Sequence, residues 1–263
     1  MQSILKTAAA GLVLATVSAG AARAEQATVF GYTLNVAIRG WMTPTYDGSK
    51  RIGPGPGGSL AVTRPSEFDS FAASDDAASF SVYSDKHIQT GIAASVREPR
   101  DNNRELTGMR SIGWSLHGGG YFNYWATPYL RFHVEALKGL TSQYGVQVNT
   151  GADVVHRGER WRLSIGPRLT FGDADFNNRY FGVTRTEAIL SPYIAAPYTA
   201  KAGLHFTGVE ASAEYKWRPQ WRQTFYARYK RLLGVDANSP LVKQLGNPNQ
   251  FAVSTGVRFM FPN

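Results

Sequence analysis

Residues 251–261 read FAVSTGVRFMF, and this stretch alternates between two kinds of side chain. Its odd positions are mostly apolar, whereas its even positions are mostly small or polar. Successive side chains of a β-strand point to opposite faces, so this two-residue period predicts a strand with one apolar face. A last strand with aromatic residues on its outer face is typical of an outer-membrane barrel.

The same alternation recurs upstream, in segments of roughly the ~9–11 residues that a tilted transmembrane strand needs. These segments are 30–39, 88–97, 112–117, 130–136, 146–154, 160–171, 209–217 and 221–230. A soluble sandwich also alternates, but its strands are usually about five or six residues long. A dry sandwich core would also exclude charges in mid-strand, such as Arg131 and Glu135. The pattern therefore predicts an all-β protein, a transmembrane antiparallel β-barrel, and tryptophans near strand ends (Trp41, Trp161, Trp217, Trp221) suit its interfacial girdles.

The lengths of the connections predict the strand count and the orientation. Tight turns at 157–159 and 218–220 contrast with long connections at 42–78, 98–109, 172–203 and 233–249. Outer-membrane barrels keep short turns on the periplasmic side, so the long connections are expected to face outward. The count is about ten strands if one short strand lies within 59–84. It is twelve if both candidates there, 60–62 and 80–82, span together with another short partner. The run of Gly and Pro at 53–58 is expected to be a loop.

The N-terminus predicts export. Lys6 precedes a short apolar stretch at 8–17, and Ala22-Arg23-Ala24 has the small residues that a signal peptidase needs. We therefore expect a signal peptide at 1–24 and a single barrel domain at 25–263. The absence of Cys excludes disulfides, thiol chemistry and a lipid-attached cysteine anchor.

The net charge of +9 limits the choice of partners. An exported protein rarely meets nucleic acid, so nucleic acid is excluded as a partner. Anionic lipopolysaccharide or murein is the expected counter-charge, and arginines that line a wet lumen explain the charge equally well.

Two of the predicted outer loops carry distinctive motifs. One reads RYFGVT at 179–184 with Glu187 close behind, after a strand that contains Gly166-Pro167, and Tyr198, Ala200 and Gly203 follow. The other reads RLLGVDANSP at 231–240. In these residues the chain resembles the MipA/OmpV family of outer-membrane proteins. The residues that carry the resemblance are Tyr180, Phe181, Gly182, Val183, Glu187, Tyr198, Gly203, Arg231, Leu232, Gly234, Asp236, Ser239 and Pro240.

The resemblance implies an outer-membrane scaffold that links a murein lytic transglycosylase to a murein synthase in peptidoglycan remodelling. Surface adhesins and stress-related proteins occur in the same family, and a fold does not decide among such functions. The chain departs from the family pattern at Val235, where the family has its Asp, and Asp236 follows one place later. It also extends to Pro262-Asn263 beyond the terminal aromatic residue.

The sequence offers weak support for an enzyme and none for a cofactor. His133 and Glu135 share a strand face with Arg131, but they read better as paired lumen residues than as an acid–base pair. The other histidines (His87, His117, His156, His205) lack metal-ligand spacing. Ser239 before Pro240 reads as a helix N-cap rather than a nucleophile. Asp75, Asp76, Asp173 and Asp175 could bind Ca²⁺ but are expected to be solvated in outer loops.

A pore and a contact surface complete the expectations. Arginines and carboxylates share the predicted lumen face, and in a barrel of about ten strands they would pair across it. A narrow anion-preferring pore is therefore the alternative to a scaffold, and a wide porin is disfavoured. For the scaffold, the periplasmic turns offer Arg beside Trp, a combination favoured at interface anchors. The candidate contact residues are Arg157, Arg160, Arg218 and Arg222.

Overall fold

An antiparallel β-sheet makes up most of the computed structural model, which describes residues 28–29, 32–63, 71–141 and 145–261. The predicted signal peptide at 1–24 and the end at 262–263 lie outside the described residues. The strands are β1 (Thr28–Val29), β2 (Tyr32–Pro44), β3 (Ile52–Thr63), β4 (Ala78–Ser84), β5 (Ile88–Arg97), β6 (Ser115–Thr127), β7 (Leu130–Gly139), β8 (Val146–Arg157), β9 (Trp161–Gly172), β10 (Gly203–Lys216), β11 (Trp221–Leu232) and β12 (Asn249–Met260).

The order of the strands curls the sheet into a barrel. Sequential neighbours from β4 to β12 pair antiparallel, β12 returns to β2, and β2 also pairs with β3. Among the described residues, eleven long strands therefore form the wall, between the two predicted counts, and the two-residue β1 adds a twelfth strand to β2. An odd number of strands requires one parallel pair of neighbours. That pair is β3 and β4, which are joined by a single bridge, Val62 to Phe80, so no continuous ladder closes the wall there.

The Gly- and Pro-rich run at 53–58 lies within β3, so the prediction of a loop there was wrong. This run pairs residue by residue with β2. Trp41 of β2 packs across Gly55 and Gly57, and a Cβ atom on Gly57 would lie 2.3 Å from the Trp41 ring. The glycines thus make room for a large aromatic residue, while the prolines are tolerated because β3 is nearly an edge strand. Trp41 belongs to this inner packing and not to the predicted outer girdle, since it shares its strand face with buried Ala37 and Arg39.

The alternation predicted for the wall is confirmed. In β9 every odd position is exposed and every even position is buried. Leu163 is 44% exposed on the outer face, whereas Arg162 and Ser164 are buried inside. Apolar side chains therefore cover the outside of the barrel and polar ones fill its lumen, the inversion that a bilayer imposes.

The two ends of the barrel differ in their connections. The short-turn end carries the turns 85–87, 128–129, 158–160 and 217–220. The opposite end, here the lid end, carries 45–51, 98–114, 140–145, 173–202 and 233–248, and the described residues of these connections form four short α-helices and a 3-10 helix. The α-helices are α1 (Ala174–Phe181), α2 (Arg185–Leu190), α3 (Gly234–Ala237) and α4 (Pro240–Lys243). Among the described residues, no helix has the length and hydrophobicity to cross a membrane.

Candidate functional site

A segment of the chain runs inside the barrel. Residues 71–77 precede β4, and their acidic side chains bind lumen arginines: Asp76 accepts from Arg131 at 2.6 Å and Asp75 from Arg168 at 2.8 Å. Because β3 and β4 run in the same direction, the chain between them must return along the length of the barrel. The described part of that return lies in the lumen, so the expectation that Asp75 and Asp76 are solvated outer-loop residues was wrong.

Further contacts fix this lumen segment along its length. The backbone N–H and Oγ of Ser74 donate to Glu210 at 3.0 and 2.6 Å, and the N–H of Ala77 donates to Glu135 at 3.2 Å. Phe71 at its start is buried, and the Arg131 guanidinium lies 4.8 Å from the centre of its ring. Polar anchors in the middle and an aromatic anchor at one end thus hold the segment.

The wall contributes a matching set of buried charges. Asp153 is 1% exposed and binds both Arg131 and Arg168, at 2.6 and 2.7 Å. Glu214 binds three arginines, Arg162 at 2.6 Å, Arg222 at 2.9 Å and Arg258 at 3.2 Å. Buried charges are tolerated when they are paired and hydrogen-bonded. Lumen charges do pair, as the sequence predicted, but the wall residues pair mainly between neighbouring strands and not across the interior, and the lumen segment supplies the contacts from within.

The histidines occupy structural positions. His133 bonds Asn123 at 2.6 Å through Nδ1, and its Nε2 lies 3.5 Å from Asp76 and 3.6 Å from Glu135. His117 bonds the Ser115 hydroxyl at 2.9 Å, and both are buried. The sequence reading missed this Ser–His pair, although two residues apart on a strand share a face. Within the described residues, no cluster of His, Asp or Glu is arranged to hold a metal ion.

The connections at the lid end fold into a lid over the lumen. One hydrophobic cluster comprises Ile112, Phe176, Tyr180, Phe181, Ala200, Leu232 and Val242. A second comprises Leu106, Met109, Val183, Ile194, Leu241 and Leu245. Four of the family-motif residues are therefore lid core, namely Tyr180, Phe181, Val183 and Leu232. Ile112 lies in this core as well, so β6 begins at Ser115 and later than its alternation predicted.

Polar motif residues tie the loops of the lid together. Ser239 caps α4, as predicted, with Pro240 at the first helical position, and its hydroxyl donates to the Phe181 carbonyl at 2.6 Å. The Tyr198 hydroxyl donates to the Val235 carbonyl, and Tyr198 also forms a β-bridge with Val183. These bonds join segments that are far apart in the sequence, which explains why the motif is scattered.

Glu187 is a buried carboxylate that joins two segments of the lid by hydrogen bonds. With Thr184 it forms a capping box at the start of α2, and it accepts two hydrogen bonds from the Arg110 guanidinium at 2.8 and 3.0 Å. Burial alone would raise the pKa of Glu187. The hydrogen bonds from Arg110 and Thr184 outweigh that effect and lower its pKa to about 2.

Asp236 links the lid to the lumen. It is fully buried and bonds Nδ1 of His205 at 2.8 Å, so the acid keeps a defined partner one place later than in the family pattern. Burial raises the pKa of Asp236, and the His205 hydrogen bond opposes that rise. Gly234, just before it, has a positive φ of 49°, a conformation that glycine adopts without strain.

The remaining motif residues are peripheral to this core. Arg231 is exposed and donates to Asn249 at 3.2 Å, while Gly203 begins β10. Gly182 caps the C-terminus of α1 against Asn178, where a Cβ atom would lie 2.2 Å from the Asn178 amide oxygen.

A cavity of about 580 Å³ lies between the lumen segment and the lid. Its walls carry Arg39, Arg97, Arg228, Lys230 and Asp47 together with the aromatic rings of Trp41 and Phe206. This volume is within the range of about 300–1,000 Å³ that is usual for small-molecule sites. The lumen is therefore not filled completely by its own side chains.

The short-turn end presents three of the four predicted contact residues. Arg157, Arg160 and Arg218 are exposed, next to exposed Trp161, Trp217 and Trp221. Arg222 is 6% exposed and turns inward to Glu214, so it is not available to a partner. The sequence assigned Arg222 both to the lumen face of its strand and to the contact surface, and the structure supports only the first, since it is the second residue of β11 and lies on the lumen face.

The outward apolar wall, the charged lumen with a segment of the chain inside it and the folded lid define an integral outer-membrane β-barrel. The chain belongs to the family described as MltA-interacting protein MipA, whose sequence profile matches residues 36–261. The resemblance found in the motifs is thereby confirmed. No curated protein matches the chain in sequence.

Outer-membrane proteins of known structure align with this chain at low identity. An outer-membrane channel from Pseudomonas putida F1 aligns with a TM-score of 0.49 and 9% identity, covering 90% of this chain and 97% of that one. The porin NanC aligns with a TM-score of 0.38 and 9% identity, covering 87% and 98%. The outer-membrane protease OmpT from Escherichia coli aligns with a TM-score of 0.36 and 9% identity, covering 91% and 100%.

Proposed function

We propose that this protein is an outer-membrane scaffold that binds a murein lytic transglycosylase and a murein synthase at its short-turn end. The observation that carries the proposal is the exposed set of Arg157, Arg160 and Arg218 beside exposed tryptophans. Arg and Trp are enriched among the residues that dominate binding energy at protein interfaces. The family description supports the choice of partner, since it names an interaction with MltA.

The rest of the molecule supports contact over catalysis or transport. Buried ion pairs occupy the lumen, and the Ser115–His117 pair lies beneath the packed lid, where His117 meets the ring of Phe176 edge-on at 6.5 Å. Neither feature gives a substrate a direct path to a reactive group. The exposed turns are then the surface best suited to a macromolecular partner.

The scaffold requires the short-turn end to face the periplasm, where murein enzymes work. Cysteines at Gly158 and Asn238, both exposed, test this orientation in intact cells with an impermeant thiol reagent. We expect labelling of Asn238→Cys and none of Gly158→Cys. The reverse pattern would place the arginines on the cell surface and favour an adhesin.

The binding test is a pull-down of purified lytic transglycosylase by the folded barrel. Replacing Arg157, Arg160 and Arg218 together by Ser should weaken binding by about tenfold or more, since each interface anchor contributes more than about 1 kcal/mol. Replacing the exposed lid-end cations Arg185, Lys201 and Lys243 by Ser changes the charge equally and serves as the matched control.

Equal binding by both triple variants would contradict the proposed surface. Failure of the unmodified protein to capture any murein enzyme would contradict the scaffold itself. Single-channel recording addresses the alternative of a narrow anion-preferring pore. A steady anion-selective step from the unmodified barrel would favour that pore, and a silent bilayer would favour the scaffold.

A further inference from the structure

The barrel wall has a window at the junction of β3 and β4, on the side of the lid. β4 begins at Ala78, which pairs with Ala94 of β5, so residues 95–97 of β5 extend beyond it. On the other side, residues 52–58 of β3 pair with β2. Among the described residues no strand lies between these two edges, and the single Val62–Phe80 bridge is their nearest crossing.

The sequence of β3 suits an edge that faces lipid. An unpaired strand edge in a bilayer leaves backbone N–H and C=O groups without partners, and each costs several kcal/mol. Pro54 and Pro56 have no N–H to donate, so in the antiparallel ladder with β2 they fit where the donor would point away from β2. Two donors are thereby removed from the edge of the window.

The lumen cavity continues to this window. Its lining includes lumen residues such as Arg39 and Arg228, and also Ala94, Val96 and Leu116 from the outer face of β5 and β6. Val96 is 62% exposed and Leu116 is 41% exposed, so both belong to the lipid-facing surface. One cavity therefore has a charged inner part and an apolar outer mouth.

Its lining carries five cationic side chains and four carboxylates, and each carboxylate is already bound to another group of the chain: Asp47, Asp75, Asp76 and Glu135. Arg97 and Lys230 share one carboxylate, Asp47, at 2.6 and 2.5 Å. Arg39 is buried, donates to the Ser74 carbonyl at 3.2 Å and stacks over Tyr226, and Arg228 lines the same space. Within the described chain, neither Arg39 nor Arg228 has a carboxylate within ion-pair distance; Glu210, opposite Arg228 in the β10–β11 ladder, attracts both groups from further away while Ser74 holds its Oε1. Two guanidinium groups are thus available to an anion in a site of low dielectric, where charge-assisted bonds are strong.

We propose that this cavity binds an anionic lipid, which enters sideways from the bilayer. The headgroup lies on Arg39 and Arg228, and an acyl chain leaves through the window past Ala94, Val96 and Leu116. The charge of the inner part selects an anion, and the apolar mouth selects a lipid over a soluble anion. The lid and the lumen segment lie at the two ends of the cavity, and the window is the side on which it meets the lipid-facing surface.

The experiment is native mass spectrometry of the full-length barrel in neutral detergent, with added phosphatidylglycerol or phosphatidylcholine. We expect saturable retention of phosphatidylglycerol. Two variants are compared, the single variant Arg228→Gln and the double variant Arg39→Gln/Arg228→Gln. Each should weaken the binding of phosphatidylglycerol by about tenfold, as expected for the loss of charge-assisted bonds. Because Arg228 makes no hydrogen bond or ion pair within the described residues, its variant is expected to fold even if the double variant does not. Arg185→Gln, an exposed lid residue, is the matched charge control.

A second pair of variants tests the lateral route. Ala94→Trp fills the mouth, whereas Ile92→Trp places the same bulk on the same strand face outside the cavity lining. We expect only Ala94→Trp to lower lipid retention. Equal retention of both lipids, or no effect of Arg228→Gln, would overturn the site. Glycerol phosphate that binds the Ala94→Trp variant as tightly as phosphatidylglycerol binds the unmodified protein would indicate a site for soluble anions and overturn the lateral route.

Discussion

The two ends of this barrel differ in how far their connections bury side chains, although the same strands lead to both. At the lid end, long connections bury Phe176, Phe181 and Leu241 almost completely. At the short-turn end, turns of two to four residues leave Arg157, Trp161 and Trp217 in the open. The first end has a hydrophobic core of its own, and the second has only side chains on a rigid rim.

The difference explains where the family motif lies. A lid forms only if several loops pack together in one arrangement. The residues that make the contacts between those loops therefore depend on one another. Phe181, Ser239 and Leu232 come from three parts of the chain and meet in or beside one cluster. A rim of exposed side chains has no such constraint. The motif therefore reports how the lid is built, and the binding surface has to be sought elsewhere.

The largest expected effect on stability comes from a substitution in the core of the lid. Phe176 is fully buried among Tyr180, His117 and His205, so Phe176→Ala should lower the free energy of unfolding by about 3–5 kcal/mol. Trp217 is 56% exposed, and Trp217→Ala should cost less than about 1 kcal/mol. Urea unfolding of the detergent-solubilised barrel measures both. Equal losses would mean that the lid is not the more cooperative end.

A smaller effect tests the wall that joins the two ends. Leu163 lies on the outer face of β9 and is 44% exposed, so Leu163→Arg should cost about 2–4 kcal/mol when the barrel folds into lipid vesicles. Glu159→Arg introduces the same side chain in the neighbouring turn, outside the bilayer, and should cost little. If Glu159→Arg were the more damaging variant, the lipid-facing assignment of β9 would be wrong.

The wall could be predicted from the sequence because its signal is local. Each residue of β9 reports its own environment, so the alternation of Leu163 and Ser164 is enough to assign both faces. The N-cap at Ser239 is equally local, since the side chain bonds a backbone group two residues away. Patterns of this kind need no knowledge of the rest of the chain.

The segment inside the lumen could not be predicted because its signal is long-range. Asp75 and Asp76 stand in a polar stretch that resembles any surface loop, and only Arg168 and Arg131, far along the chain, reveal their place. The strand at 53–58 was missed because the usual rule against Pro and Gly assumes two paired neighbours. Beside Trp41, and next to a nearly open seam, glycine and proline fit that strand better than ordinary residues would.

A third test concerns the charge that holds the lid together. The pKa of Glu187 lies at about 2 in the folded protein, below its usual value of 4.5, because hydrogen bonds from Arg110 and Thr184 outweigh the effect of burial. A group with a lowered folded pKa stabilises the protein above its unfolded value, and this stabilisation is lost as the pH falls. The midpoint of thermal unfolding should therefore decrease between pH 4.5 and 2, and Glu187→Gln should remove part of that decrease while lowering the midpoint at pH 7.

Glu159→Gln, in an exposed turn at the other end, should follow the unmodified protein at every pH. Parallel profiles for the unmodified protein and Glu187→Gln would show that this carboxylate does not hold the lid. The acid sensitivity of the barrel would then have to arise in the lumen, where the other buried carboxylates lie.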